Sequence, residues 1–226
     1  MTQPRLLARR ALVASVLALA AAQSPALAFA AEKKSVEAGK VFPYLENYWK
    51  LPAGERNHFQ VAYYLQRDGK PATGVKAALV LGAVRTPLNV AANGRVSPLP
   101  TLAQIKAGAK VEFEVPAQTK FSMSLLIEPL ARPAAEMSAP ELALAVTQSA
   151  KGAKKVAGLM GLAMPTITQA VFKGVASGQA VHADGHVTAL PVVKGSPVFE
   201  PGKLATARTL KFPKIPAQVL LGSTDD

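Results

Sequence analysis

Two stretches of this chain repeat one pattern 91 residues apart: Val90-Ala91-Ala92-Asn93-Gly94-Arg95-Val96-Ser97-Pro98-Leu99-Pro100, and Val181-His182-Ala183-Asp184-Gly185-His186-Val187-Thr188-Ala189-Leu190-Pro191. Extended upstream to Val75 without a gap, the match gives eight identities in 26 positions. Asn-Gly and Asp-Gly tolerate positive φ at both centres of a type I′ turn. Apolar β-formers flank each pair, so each copy is expected to fold as a tight hairpin with Asn93-Gly94 or Asp184-Gly185 as its two-residue turn. The Leu-Pro that closes each copy ends the second strand, because proline has no N–H for the ladder. A period of 91 residues is longer than a solenoid unit, which runs about 20–50 residues. It fits two copies of a small domain or two halves of one pseudo-symmetric domain.

The first 30 residues have a different character. Arg5, Arg9 and Arg10 precede an apolar run from Ala11 to Ala22, and Ala28-Phe29-Ala30 has the spacing of a cleavage site. That is the pattern of a secretory signal peptide of the Sec type, too short to be a membrane span. The expected location is therefore periplasmic or secreted, with no transmembrane span after cleavage near Ala30. Removing three arginines and no acids leaves 23 basic against 14 acidic side chains, a net charge of +9. Such a balance favours partners of opposite sign. Outside the cytoplasm these are anionic lipid head groups, lipopolysaccharide or wall polymers rather than nucleic acid. The chain has no cysteine, which excludes thiol catalysis, disulfide exchange and Cys-ligated metals.

The rest reads as helix followed by strands, twice. Ala31 to Lys40 is polar and is expected to be a loose leader. Val41, Tyr44, Leu45, Tyr48 and Trp49 fall at helical spacing, predicting a helix over Phe42–Lys50. His58 to Gln66 alternates strictly and predicts a half-buried strand. Arg67 to Pro71 is a turn. The passage Asp68-Gly69-Lys70-Pro71-Ala72-Thr73-Gly74-Val75 resembles a strand-to-strand passage of the transthyretin-like, carboxypeptidase-regulatory type of β-sandwich, and this resemblance implies an antiparallel sandwich and nothing further. Strands are expected at Val75–Leu81, Lys110–Val115 and Phe121–Ile127. Residues 31–130 thus form an N-terminal helix-plus-β half, and 131–137, rich in Ala with Pro133 inside, a linker. Residues 138–226 form a C-terminal half: a helix that starts at Ser138 as N-cap and stops at Pro165, then strands at Thr166–Phe172, Gln179–His182, His186–Leu190, Leu204–Phe212 and Ala217–Leu221. The expected fold class is α+β, mainly antiparallel β and sandwich-like.

Three groups of residues carry the functional expectations. His182, Asp184 and His186 are the one cluster with metal-ligand chemistry, although zinc takes three or four ligands in fixed geometry and the first copy has Ala91 and Arg95 in place of the histidines. Lys151, Lys154 and Lys155 form a basic face on the predicted second helix, suited to an anionic surface. Tyr44, Tyr48, Trp49, Met160 and Met164 would line a pocket between helix and sheet. No G-x-S-x-G elbow, phosphate loop or paired carboxylate is present, so no catalytic residue and no cofactor are expected. The leading expectation is a non-catalytic binding or structural module of the cell envelope that meets an anionic component. Its alternatives are a periplasmic carrier of an apolar small molecule or lipid, and a metal-dependent hydrolase.

Overall fold

A computed structural model of the protein describes residues 31–116, 120–158 and 166–223. The expected signal peptide, Met160 and Met164 lie outside the described residues. In chain order come β1 (Ala31–Glu37), α1 (Ala38–Val41), α2 (Leu45–Lys50), β2 (Phe59–Arg67), β3 (Lys70–Pro71), β4 (Lys76–Leu81), β5 (Val84–Val90), β6 (Val96–Ser97), α3 (Leu102–Lys106), β7 (Lys110–Pro116) and β8 (Phe121–Pro129). They are followed by β9 (Glu136–Ser138), α4 (Ala139–Ala157), β10 (Gln169–Lys173), β11 (Gln179–His182), β12 (Val187–Ala189), β13 (Val192–Val193), β14 (Ser196–Phe199), β15 (Ala207–Lys211) and β16 (Gln218–Gly222).

Among the described residues these strands form four sheets, ordered β1-β7-β4-β5-β6, β3-β2-β8, β13-β14-β10-β16 and β12-β11-β15-β9. The ladders are antiparallel, from β1 on β7 to β15 on β9. The protein is an α+β fold dominated by antiparallel sheet.

The segment expected to be a loose leader is instead the edge strand β1 and the short helix α1. Its polar sequence is suited to an edge. Lys33 faces Glu114 and Glu37 faces Lys110 across the ladder, while Val36 meets Val111. Opposed charges stabilise such pairs by a few tenths of a kcal/mol, up to about 1, and a solvated edge needs no apolar alternation. The single helix expected over Phe42–Lys50 is two helices. Pro43 disfavours helical backbone at Phe42, and Tyr44 takes a left-handed conformation with φ 65° before α2 begins.

One apolar core runs through the described residues. Phe42, Leu45, Phe59 and Tyr63 from the early elements join Leu142 of α4 and Phe172, Leu210 and Leu221 from the late strands. Fully burying a side chain of this size stabilises by roughly 2 kcal/mol. α4 is the centre of this packing. Ser138 caps it, its Oγ accepting from the Glu141 N–H at 3.3 Å, with Pro140 in the first turn. Its buried face is Ala139, Leu142, Ala145, Val146, Ser149 and Gly152. Gly152 is required there: a Cβ would sit 2.7 Å from the Phe59 ring. α4 ends at Ala157, where Gly158 takes φ 57°, short of the expected stop at Pro165.

β2 departs from the half-buried strand expected of it. Phe59, Val61, Tyr63 and Leu65 face the core as predicted, but Ala62 and Tyr64 on the other side are buried too. Two elements cover that second face. The turn between β5 and β6 docks on β2 through a Leu65 N–H donating to Gly94 O at 2.8 Å, and β16 lies alongside β8.

Candidate functional site

The two repeated segments do form hairpins, with the same turn, and it is not the expected one. In the first, Ala91 N–H donates to Arg95 O at 2.9 Å and Gly94 N–H to Ala91 O at 2.7 Å. In the second, His182 N–H donates to His186 O at 2.9 Å and Gly185 N–H to His182 O at 3.0 Å. Each loop therefore has three residues, not two. Only the glycines are left-handed, both at φ 87°. The Asn93 and Asp184 carboxamide and carboxylate oxygens each accept the backbone N–H two residues on, at 3.1 Å. This local bond favours the three-residue form with its glycine bulge over the type I′ turn. The strand register agrees as well: Val90 faces Val96 as Val181 faces Val187. Paired residues at two-residue loops with both centres at positive φ occur elsewhere, at Asp68-Gly69 and Lys194-Gly195.

The three-residue loop moves the histidines. His182 and His186 stand opposite one another, their rings stacked with centroids 3.8 Å apart and planes within 7°. The buried His182 has both ring nitrogens engaged, Nδ1 with Thr206 Oγ1 at 2.7 Å and Nε2 with Thr188 Oγ1 at 3.0 Å. A neutral imidazole offers one donor and one acceptor, so this pair of hydroxyls uses all it has. His186 Nδ1 lies 2.6 Å from Asp184 Oδ1. That side-chain bond is the largest of the influences holding the exposed Asp184 carboxyl below its ordinary value. Among the described residues no group of three His, Cys, Asp or Glu is arranged to hold a metal ion.

The other expected groups are also dispersed. Lys151 and Lys154 are exposed on α4, while Lys155 is tied to the Glu55 carboxylate at 2.6 and 2.7 Å. Tyr48 is buried and its hydroxyl donates to Phe59 O at 3.2 Å. Trp49 is half-buried, its Nε1 donating to Pro100 O at 2.9 Å, and Arg56 lies 5.0 Å over its ring. Tyr44 is exposed. These rings serve the core and its rim, and neither cleft described next is lined by them.

Two concavities border the seam where β8 lies beside β16. The first is an apolar groove of about 410 Å³ lined by Leu125, Ile127, Val171, Val193 and Leu220, among others, with Ala153 of α4 at its side. The ladder places Val171 opposite Leu220 and Lys173 opposite Gln218, so the apolar row passes directly into a polar one. Within the groove, Gln169 is 1 % exposed. Its Nε2 donates to Ser223 O at 2.8 Å, and its Oε1 is buried without a hydrogen-bond partner among the described residues.

The second is a polar cleft of about 460 Å³ lined by Gln60, Asn93, Arg95, Glu128, Arg132 and Gln218, among others. Glu128 forms its floor, 5 % exposed. Its Oε1 accepts from the Tyr64 hydroxyl and from Gln218 Nε2 at 2.9 Å, and its Oε2 pairs with Arg95 Nη1 at 3.0 Å. Gln218 Nε2 also lies 2.6 Å from the Tyr64 oxygen. Burial, reinforced by the neighbouring Glu128 carboxylate, holds the Tyr64 phenol well above its ordinary value, so it stays a donor. The four side chains of this network come from four separate segments: β2, the β5–β6 turn, β8 and β16.

Neither concavity was predicted from the sequence. Glu128 and Gln218 are 90 residues apart, and no local spacing relates them. The alternation of β2 gives Tyr64 a solvent-facing position, and the docked turn together with Gln218 of β16 makes it buried. Compared with known protein families, curated proteins and solved structures, the chain matches none.

Proposed function

We propose that this protein is a non-catalytic binding protein of the cell envelope that takes an amphiphile, with the apolar body in the groove between β8, β10 and β16. The groove carries the reading. Its volume lies in the range of small-molecule sites, about 300–1,000 Å³. Its composition is that of such sites: an apolar lining with a few placed polar groups. The Lys173 side chain at the rim supports an anionic head group. The export signal expected of residues 1–30 and the +9 charge of the remainder (23 basic minus 14 acidic side chains) fit an anionic lipid of the envelope as the source.

The test is equilibrium binding of a fluorescent long-chain fatty acid to the purified protein, competed with unlabelled oleate. Saturable, competed binding is expected. Val171→Asp places a charge in the groove and should weaken it at least tenfold, whereas the paired exchange Lys151→Glu with Lys154→Glu should leave it unchanged. The opposite pattern would move the site to the exposed lysines of α4. No saturable binding would remove the proposal.

A further inference from the structure

We infer that the polar cleft above Glu128 is a second binding site, for a small polar molecule that carries one oxyanion group, a carboxylate or a phosphate. The inference is independent of the groove. It rests on which hydrogen-bonding groups around the cleft are used and which are left.

The Glu128 carboxylate is fully engaged, with Tyr64 and Gln218 on one oxygen and Arg95 on the other. Gln218 Nε2 is spent on Tyr64 and Glu128. Arg95 meets Glu128 through Nη1. A guanidinium has five N–H donors in a fixed plane, more than this ion pair uses, and Arg95 lines the cleft. Asn93 Oδ1 is taken by the Arg95 backbone N–H, which leaves its Nδ2 donor. Arg132 is exposed, lines the same cleft, and holds no ion pair with the described residues. Leu130 N–H, donating to His58 O at 3.0 Å, and Pro133 fix the strap that carries it.

The charged groups with hydrogen-bonding capacity left are thus the two arginines, and the one acid is already paired with one of them. Arg95, Arg132 and Glu128 sum to a net charge of +1 (two positive minus one negative). Planar guanidinium forks are the side chains best matched to the two-oxygen edge of a carboxylate or phosphate. A cleft of about 460 Å³ is larger than a bare oxyanion needs, and its rim of Gln60 and Asn93 amides suits hydroxyl groups on the rest of the molecule. The chemistry that fits is a sugar acid or a sugar phosphate.

The experiment is an NMR titration of the isotopically labelled protein with inorganic phosphate, with glucuronate and, as the neutral control, with glucose. Saturable shifts centred on the amides of Asn93, Arg95, Arg132 and Gln218 are expected with at least one anion, and none with glucose at comparable concentration. The tighter anion identifies the group recognised. Arg132→Ala, at an exposed position where the fold is not at risk, should weaken that binding at least tenfold and leave fatty-acid binding in the groove unchanged. The absence of saturable shifts with both anions would overturn the inference, as would an Arg132→Ala variant that binds as tightly as the parent.

Discussion

The hairpins at Val90–Val96 and Val181–Val187 share register, turn and glycine conformation, yet they do different things. In the first, the residue after the glycine is Arg95, which reaches out of its own hairpin to the buried Glu128. In the second it is His186, which folds back on His182 and Asp184 within the hairpin. The first turn is docked on β2 through its glycine and its arginine; the second is tied at its base to Thr206, whose O accepts from the Ala183 N–H at 3.1 Å, and only its tip is exposed. Backbone geometry set by Asn-Gly and Asp-Gly is local, whereas what a hairpin contributes depends on the few side chains that leave it.

The two glycines give the largest test of that contrast. Both are left-handed, where a Cβ costs about 1–2 kcal/mol. A Cβ on Gly185 would meet nothing within 4 Å, but on Gly94 it would lie 2.6 Å from the backbone oxygen of Leu65. Chemical denaturation should therefore show Gly185→Ala losing only about 1–2 kcal/mol. Gly94→Ala should lose about 4, since the docked turn must lift from β2 and overpacking of this kind adds about 1–3 kcal/mol. Equal losses would mean that the first hairpin is not docked in solution.

The next test exchanges the residue after each glycine. Arg95→Ala leaves Glu128 buried with only neutral donors, and removing one partner of a buried pair costs about 3–5 kcal/mol. Arg95 is itself 37 % exposed, which screens the pair, so a loss of about 2 kcal/mol is expected from equilibrium unfolding. His186→Ala removes exposed contacts and should cost less than about 0.5 kcal/mol. Soaking the protein in a chelator should change neither the unfolding midpoint nor the His186→Ala result. A chelator-dependent midpoint would return a metal to the His182 pair.

The sequence carried the local part of this picture and little of the rest. The antiparallel class, both hairpins, the capped start of α4 at Ser138 and the core face of β2 follow from turn chemistry, capping and alternation. β1 was unreadable because an edge strand matched by charge, Lys33 to Glu114 and Glu37 to Lys110, shows no apolar period. β14 was unreadable for the opposite reason. All four of its residues, Ser196 to Phe199, are buried, and Pro197 speaks against a strand. β9 begins inside the expected linker and runs into the helix cap at Ser138: Met137 is buried there and pairs with Leu210. The clefts depend on contacts between distant segments, and the one hint of the polar cleft was a charged residue following a turn, a pattern shared by most hairpins.

The network around the first hairpin contains buried phenols, which predicts a response to alkali. Burial raises Tyr63 and Tyr64 well above the ordinary value of 10.0. A raised acid is held protonated in the fold, so its contribution is complete below the unfolded value and is lost as pH climbs past it. Stability should fall steeply above about pH 10. Tyr64→Phe should make that fall shallower. At neutral pH it should cost about 1 kcal/mol for the lost hydrogen bond, with Gln218 still serving the same carboxylate oxygen. An unchanged alkaline slope would mean that Tyr64 is not buried beside Glu128.

The exposed tip of the second hairpin should answer at the other end of the pH scale, and weakly. Asp184 is held below its ordinary 3.8, chiefly by the side-chain bond from His186. A lowered carboxyl contributes above its unfolded value and loses that contribution as pH falls through the folded one. His186→Ala should therefore remove a small contribution present above about pH 4, so that the variant and the parent converge as pH falls below that and differ in slope only there. Tyr64→Phe should lower stability by a constant amount below about pH 10 and change the slope only above it. The comparison of the two profiles separates the hairpins without any binding partner. If His186→Ala were instead to change the alkaline limb, the second hairpin would be linked to the buried network around Glu128, and the distinction between a docked turn and an exposed one would fail.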